Sequence, residues 1–103
     1  MNYNIQKERK EAFDLARQTL NNLDIYFTDD EIIMHCRERL VRNKQIAVAL
    51  VLMGHGYGHN LLGRVLDRDQ SVFSNLRRTV INNKNEKIQS LIQLTKLNQT
   101  TKL

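Results

Sequence analysis

The chain of 103 residues contains no proline, one cysteine and four glycines, and each scarcity removes a class of architecture. Without proline and with few β-branched runs, it lacks the punctuation of an all-β protein, and its apolar spacing favours helices. Cys36 alone cannot form an intrachain disulfide or supply a thiolate zinc cage, so a reducing compartment is its expected home. Long hydrophobic runs are missing as well. The most extended, residues 46–53, falls far short of the ~20 residues that span a bilayer. The opening Met-Asn-Tyr-Asn-Ile-Gln-Lys has no apolar signal core. A soluble, cytoplasmic protein with no membrane partner is predicted, forming a single all-α domain over 1–103 with no room for a separate catalytic unit.

Hydrophobic residues make up 41% and charged residues 26%, which suits a globular chain rather than a disordered one. The net charge of +5 is unevenly spread. Residues 1–36 carry four basic and seven acidic side chains, residues 37–78 eight and three, and residues 79–103 four and one. A solvated charged face accounts for most such surpluses. Here the surplus coincides with a run of helical signals, where phosphate contacts would need it.

Along the chain, Ala12, Phe13, Ala16, Leu20 and Leu23 form a stripe at helical spacing, opposite Lys7, Glu8, Lys10, Glu11, Arg17 and Gln18. This predicts an amphipathic first helix starting near Ile5, followed by a short apolar connector over 24–27. Thr28-Asp-Asp-Glu31 is a capping box for a second helix, with Asp29 and Asp30 at its positive end and Ile32, Ile33 and Cys36 on its buried side. Arg37-Glu-Arg-Leu-Val-Arg-Asn-Lys44 then gathers four cations just ahead of the most apolar helix, residues 45–53. Such a segment can lie along a phosphate backbone; equally, Arg37 and Arg39 can face water at the end of the second helix, where cations suit the dipole.

Alternating glycines in Gly54-His-Gly-Tyr-Gly-His59 permit a left-handed cap and a tight turn. Helical signals over 43–53 and 59–66, then Asp67-Arg-Asp-Gln-Ser71 and a third amphipathic helix, spell a helix-turn-helix over about residues 43–82. Val72, Phe73, Leu76, Val80 and Ile81 form the expected buried stripe of the third helix. Its outer face carries Gln70, Ser71, Ser74, Asn75 and Arg78, groups that can donate and accept at base edges in the major groove. A last helix from about Asn85 offers Ile88, Leu91, Ile92, Leu94 and Leu97 to the core, and residues 98–103 form a loose polar tail.

Gly58 and Gly63 have phosphate-loop spacing, but Arg64-Val65 follows instead of Lys-Ser/Thr and no strand precedes, so no nucleotide site is indicated. His55 and His59 are four apart with glycines between them, which breaks the shared helical face that metal ligands need, and His35 with Cys36 does not complete a set. No nucleophile, base and orienting acid stand together, so neither an enzyme nor a cofactor is expected.

Several of these motifs resemble a known family. Arg42-Asn-Lys-Gln-Ile-Ala-Val-Ala-Leu50 is similar to the Arg-Pro-Arg-Gln-Ile-Ala-Met-x-Leu segment in the C-terminal DNA-binding domain of the bacterial replication initiator DnaA. Leu62-Gly63 falls where that domain has Ile-Gly, and Arg68-Asp-Gln-Ser71 resembles its Gly-Gly-Arg-Asp-His-Thr-Thr signature. The likeness spans residues 28–80. It implies a helix-turn-helix of the DnaA C-terminal or Trp-repressor-like kind, standing without the ATPase domain and associated with the nucleoid. It also implies double-stranded DNA as partner, in replication control or transcriptional regulation.

By the same resemblance, Asp69, Gln70 and Ser71 read bases, and Arg37 or Arg39 enters the minor groove. Arg42 and Lys44 hold phosphate, and Arg68 matches the signature arginine, assigned here to the backbone contacts. Gln70 replaces the signature histidine, Ser71 its first threonine and Val72 its second; one signature glycine is absent before Asp67. Docking mode therefore carries over better than base preference. The rival expectation is a protein-interaction module on the same scaffold that does not read DNA. A monomer is expected in either case.

Overall fold

The computed structural model describes residues 5–35, 38–74, 76, 86 and 88–91, and among these there are helices and turns but no strand. α1 is Ile5–Asn21, α2 Asp29–Ile33, α3 Arg39–Gly54, α4 His59–Leu66 and α5 Ser71–Ser74. Leu76, Glu86 and residues 88–91 are also helical.

The stripe of α1 is inside: Ala12, Phe13, Ala16 and Leu20 are fully buried. Two features end the helix. Ile25 N–H donates to Leu20 O at 2.9 Å and Asp24 N–H to Asn21 O at 3.1 Å, while Asp24 takes a left-handed φ of 60°. Together these make a Schellman closure with aspartate where glycine is usual. The connector then turns Phe27 inward, its ring edge-on to Phe13 at 6.2 Å, and leaves Tyr26 exposed. Arg17 lies over the Phe27 ring at 4.6 Å and pairs with Asp14 and Asp29, tying α1 to the start of α2.

α2 is a single turn whose predicted capping box is present. Glu31 N–H donates to Thr28 Oγ1 at 3.2 Å and Thr28 N–H to Glu31 Oε1 at 2.9 Å. Ile32 is buried and Ile33 half-buried. Cys36 lies outside the described residues.

α3 begins at Arg39, several residues earlier than its apolar pattern suggests, so most of the basic segment is helical rather than a lead-in. Residues 47–52 are all buried. A helical stretch apolar on every side must be central, and α1, α2 and α4 all pack against α3. Its end is a second Schellman closure: Gly56, at φ +94°, donates to Met53 O and Tyr57 N–H to Leu52 O. Of the glycines in this turn only Gly56 needs the left-handed region; Gly54 is the last residue of α3 and Gly58 caps α4 in extended backbone.

α4 buries Leu62, Val65 and Leu66. Arg9 of α1 clasps its end, donating from Nε to Val65 O at 2.7 Å and from Nη2 to Arg64 O at 3.3 Å. A third left-handed residue, Asp67 at φ 55°, closes the helix, and Arg68 N–H reaches back to Gly63 O at 3.0 Å. That reversal presses Arg68 O so close that a Cβ on Gly63 would sit 2.7 Å from it. Gly63 is required by contact, not by its torsion angles.

Phe73 anchors α5 in the core, and Leu76, Ile88 and Leu91 are buried there with it. Val72, expected in the buried stripe, is 49% exposed. Phe73 and Leu76 of the same stripe are buried as expected, so Val72 alone among its described residues departs from it. Val80, Ile81, Ile92, Leu94 and Leu97 lie outside the described residues. No helix among the described residues is long and apolar enough to cross a membrane.

Candidate nucleic-acid interface

The first two turns of α3 carry Arg39, Arg42 and Lys44. Arg39 and Arg42, three apart, share one side of the helix and are exposed, and their guanidinium groups make no hydrogen bond or ion pair among the described residues. Val41 beneath them is buried. No acid stands in this first turn, and Glu38 at the N-cap position makes no side-chain capping bond. A cation at the positive end of a helix costs roughly 0.3–1 kcal/mol. By contrast α2 starts with Asp29, Asp30 and Glu31, as the dipole favours. The two starts obey opposite rules, and only that of α2 is explained by stability.

Lys44 faces inward instead. Its Nζ donates to Glu31 Oε2 at 2.8 Å, and this hydrogen bond, with that of the Thr28 amide, holds the Glu31 carboxyl below its ordinary range. The neighbouring Gln45 donates from Nε2 to the carbonyls of Glu31 at 2.9 Å and Met34 at 2.8 Å. The second turn of α3 thus captures the end of α2, whose last carbonyls have no partner within the helix.

Arg68 completes the capture. Its Nη1 donates to Ile33 O at 2.9 Å, Asp67 O at 3.0 Å and Leu66 O at 3.2 Å, and Nη2 donates to Met34 O at 2.5 Å. The sequence assigns this arginine to the DNA backbone; the fold has its donors on chain carbonyls. Met34 O accepts from both Gln45 and Arg68, so one peptide group joins α3 to the turn before α5. His35, exposed beside it, lies 3.5 Å from Arg68 Nη1 and 3.9 Å from Asp67 Oδ2.

Asp69 opens α5. Its Oδ1 accepts from Ser71 N–H at 2.9 Å and its carbonyl from Val72 N–H at 3.0 Å. The Ser71 amide and hydroxyl hold its carboxyl below the usual carboxylate range. Of the two aspartates in the turn, Asp67 therefore closes α4 and Asp69 starts α5, a division of labour that the sequence leaves open. Gln70 and Ser71 stand exposed at this start, and Ser74 is the last residue of α5. Arg37, Asn75 and Arg78 lie outside the described residues.

The arrangement brings two surfaces onto one frame: a cationic α3 start and a polar α5 start, both fixed to the end of α2 through Met34. Sequence reasoning missed Gln45 and Arg9, whose roles depend on carbonyls far away in the chain. The only local signal for Gln45 is a polar residue at the edge of an otherwise apolar helix. His55 and His59 are exposed on either side of the α3–α4 turn, and no group of three or more His, Cys, Asp or Glu suited to a metal occurs among the described residues. No protein family, curated protein or solved structure matches the chain.

Proposed function

We propose that the protein binds double-stranded DNA in a sequence-dependent way. In this reading α4, the 67–70 turn and the helix starting at Ser71 act as a helix-turn-helix, with Gln70 and Ser71 entering the major groove. Arg39 and Arg42 engage phosphate or the adjacent minor groove. Lys44 and Arg68 act one step back, fixing the frame on which those groups stand, and Asp69 sets the start of the reading helix.

The observation that carries the proposal is the placement of Arg39 and Arg42. Two exposed guanidinium groups at the positive end of a helix weaken the fold slightly, and a polyanion is the partner that turns this cost into binding energy. The resemblance to the DnaA DNA-binding domain supports the same partner and suggests replication control or transcriptional regulation. A second reading, a protein-interaction module, is favoured by one feature: Tyr26 and Leu40, 61% and 68% exposed, flank a cleft of about 420 Å³ that also touches Ile25 and Ile88.

Selection of randomised duplexes on the purified protein, followed by anisotropy titration of the best site at several salt concentrations, separates the two. An enriched sequence with a log-log salt slope of about −4 to −6, equivalent to about five to seven phosphate contacts, is expected for a DNA reader. Absence of any duplex binding at low salt would move the function to the cleft.

A further inference from the structure

We infer that Gln45 is a positioning residue of the proposed DNA reader: it sets the register between the cations that hold phosphate and the groups that read bases, and so governs discrimination between sequences. The inference rests on the DNA-binding proposal. Gln45 is half-buried and follows Arg42 by one turn of α3. Its Nε2 donates to Glu31 O at 2.9 Å and to Met34 O at 2.8 Å. Two acceptors a turn apart at the end of α2 fix both the distance of that helix from α3 and its rotation; one bond would leave the rotation free.

α2 needs such a hold, because a helix of five residues does not persist alone. Lys44 grips its start through Glu31, and Arg68 grips its end from the other side through Ile33 O and Met34 O. Met34 O is where the grip from α3 and the grip from the α4–α5 turn meet, and Gln45 supplies the α3 side of it. Lys44 and Arg68 are charged, so losing either changes attraction to phosphate as well as geometry. Gln45 is neutral, and losing it changes geometry alone. Phosphate contacts place a protein on the duplex while base contacts specify, and a hydrogen bond weakens steeply once its angle is spoiled. With α2 loosened, Arg39 and Arg42 would still meet phosphate, but Gln70 and Ser71 would no longer stand at a fixed separation from them.

The test uses the full chain, the selected duplex and a scrambled duplex of the same length, titrated at a temperature where circular dichroism shows each variant folded. Gln45→Met, which keeps the length of the side chain and removes its donors, should lower the ratio of the two affinities about fivefold or more, the worth of one base contact. Affinity for the scrambled duplex and its salt slope should stay at wild-type values. Gln45→Asn keeps the amide but falls a methylene short of the carbonyls; it should show the same pattern and stands in if Gln45→Met does not fold. A purely stabilising role would instead lower both affinities by one common factor. That result, an unchanged ratio in folded variants, or failure of both variants to fold would overturn the role of Gln45 and leave DNA binding standing. Failure of the wild-type protein to prefer any duplex would overturn both.

Discussion

Arg39 and Arg68 carry the same side chain to opposite ends: one is held in water at a helix start, the other is enclosed by four carbonyl groups. Changing both Arg39 and Arg42 to Gln should weaken binding to every duplex alike and make the salt slope shallower by about 2, with thermal stability unchanged or raised. Arg68→Ala should instead lower unfolding free energy by about 0.5–1.5 kcal/mol, because the part-buried carbonyls of Ile33 and Leu66 lose a donor. Arg68→Lys should not restore it, since an ammonium lacks the planar fork; denaturant titration measures both. Glu31 gives a pH test. Its carboxyl is held below the ordinary glutamate range by the Lys44 hydrogen bond first and the Thr28 amide second, so its contribution is fully present above that range and is lost progressively as pH falls from it through the depressed folded value. Glu31→Gln should be less stable than wild type near neutrality and show a flatter decline in acid. All these charges were visible in the sequence, but not which would turn inward, because the carbonyls that capture Arg68 come from Ile33 and Met34, remote in the chain.

Helix starts and ends differ in legibility. The Thr28 box could be read because its two bonds join residues three apart. The closures at Asp24 and Asp67 could not, because aspartate tolerates the left-handed region without announcing it as glycine does. The start of α3 was hidden because Leu40 breaks the pattern by facing out while Val41 faces in. Two substitutions probe the α4–α5 turn. Gly63→Ala would force a Cβ to 2.7 Å from the Arg68 carbonyl and should cost roughly 1–3 kcal/mol of unfolding free energy, the scale of overpacking. Asp67→Gly should stabilise by about 1 kcal/mol through relief at φ 55°, losing only an exposed 3.9 Å contact with His35 that is worth little. Thermal melts of the two variants should shift in opposite directions.

At the scale of the molecule, α3 is the axis around which the other helices are arranged, and its apolar second half was the clearest statement in the sequence. Its basic first half was equally visible as charge, while its helicity was not. The all-α character and the buried stripe of α1 follow from spacing alone; the frame that joins α3 to the α4–α5 turn arises only when α2 supplies its last carbonyls to both.

The cationic opening of α3 has a consequence for the lifetime of the protein. A folded state that bears cations at a helix start is favoured by any polyanion that binds it, so the melting temperature should climb with added duplex, in proportion to RT ln(1 + [L]/Kd). Dissolved salt should give a weaker version of the same rise by screening. Copies bound to their site would then open less often than free copies and be cut more slowly by proteases. Occupancy of the site would in this way set how much of the protein persists.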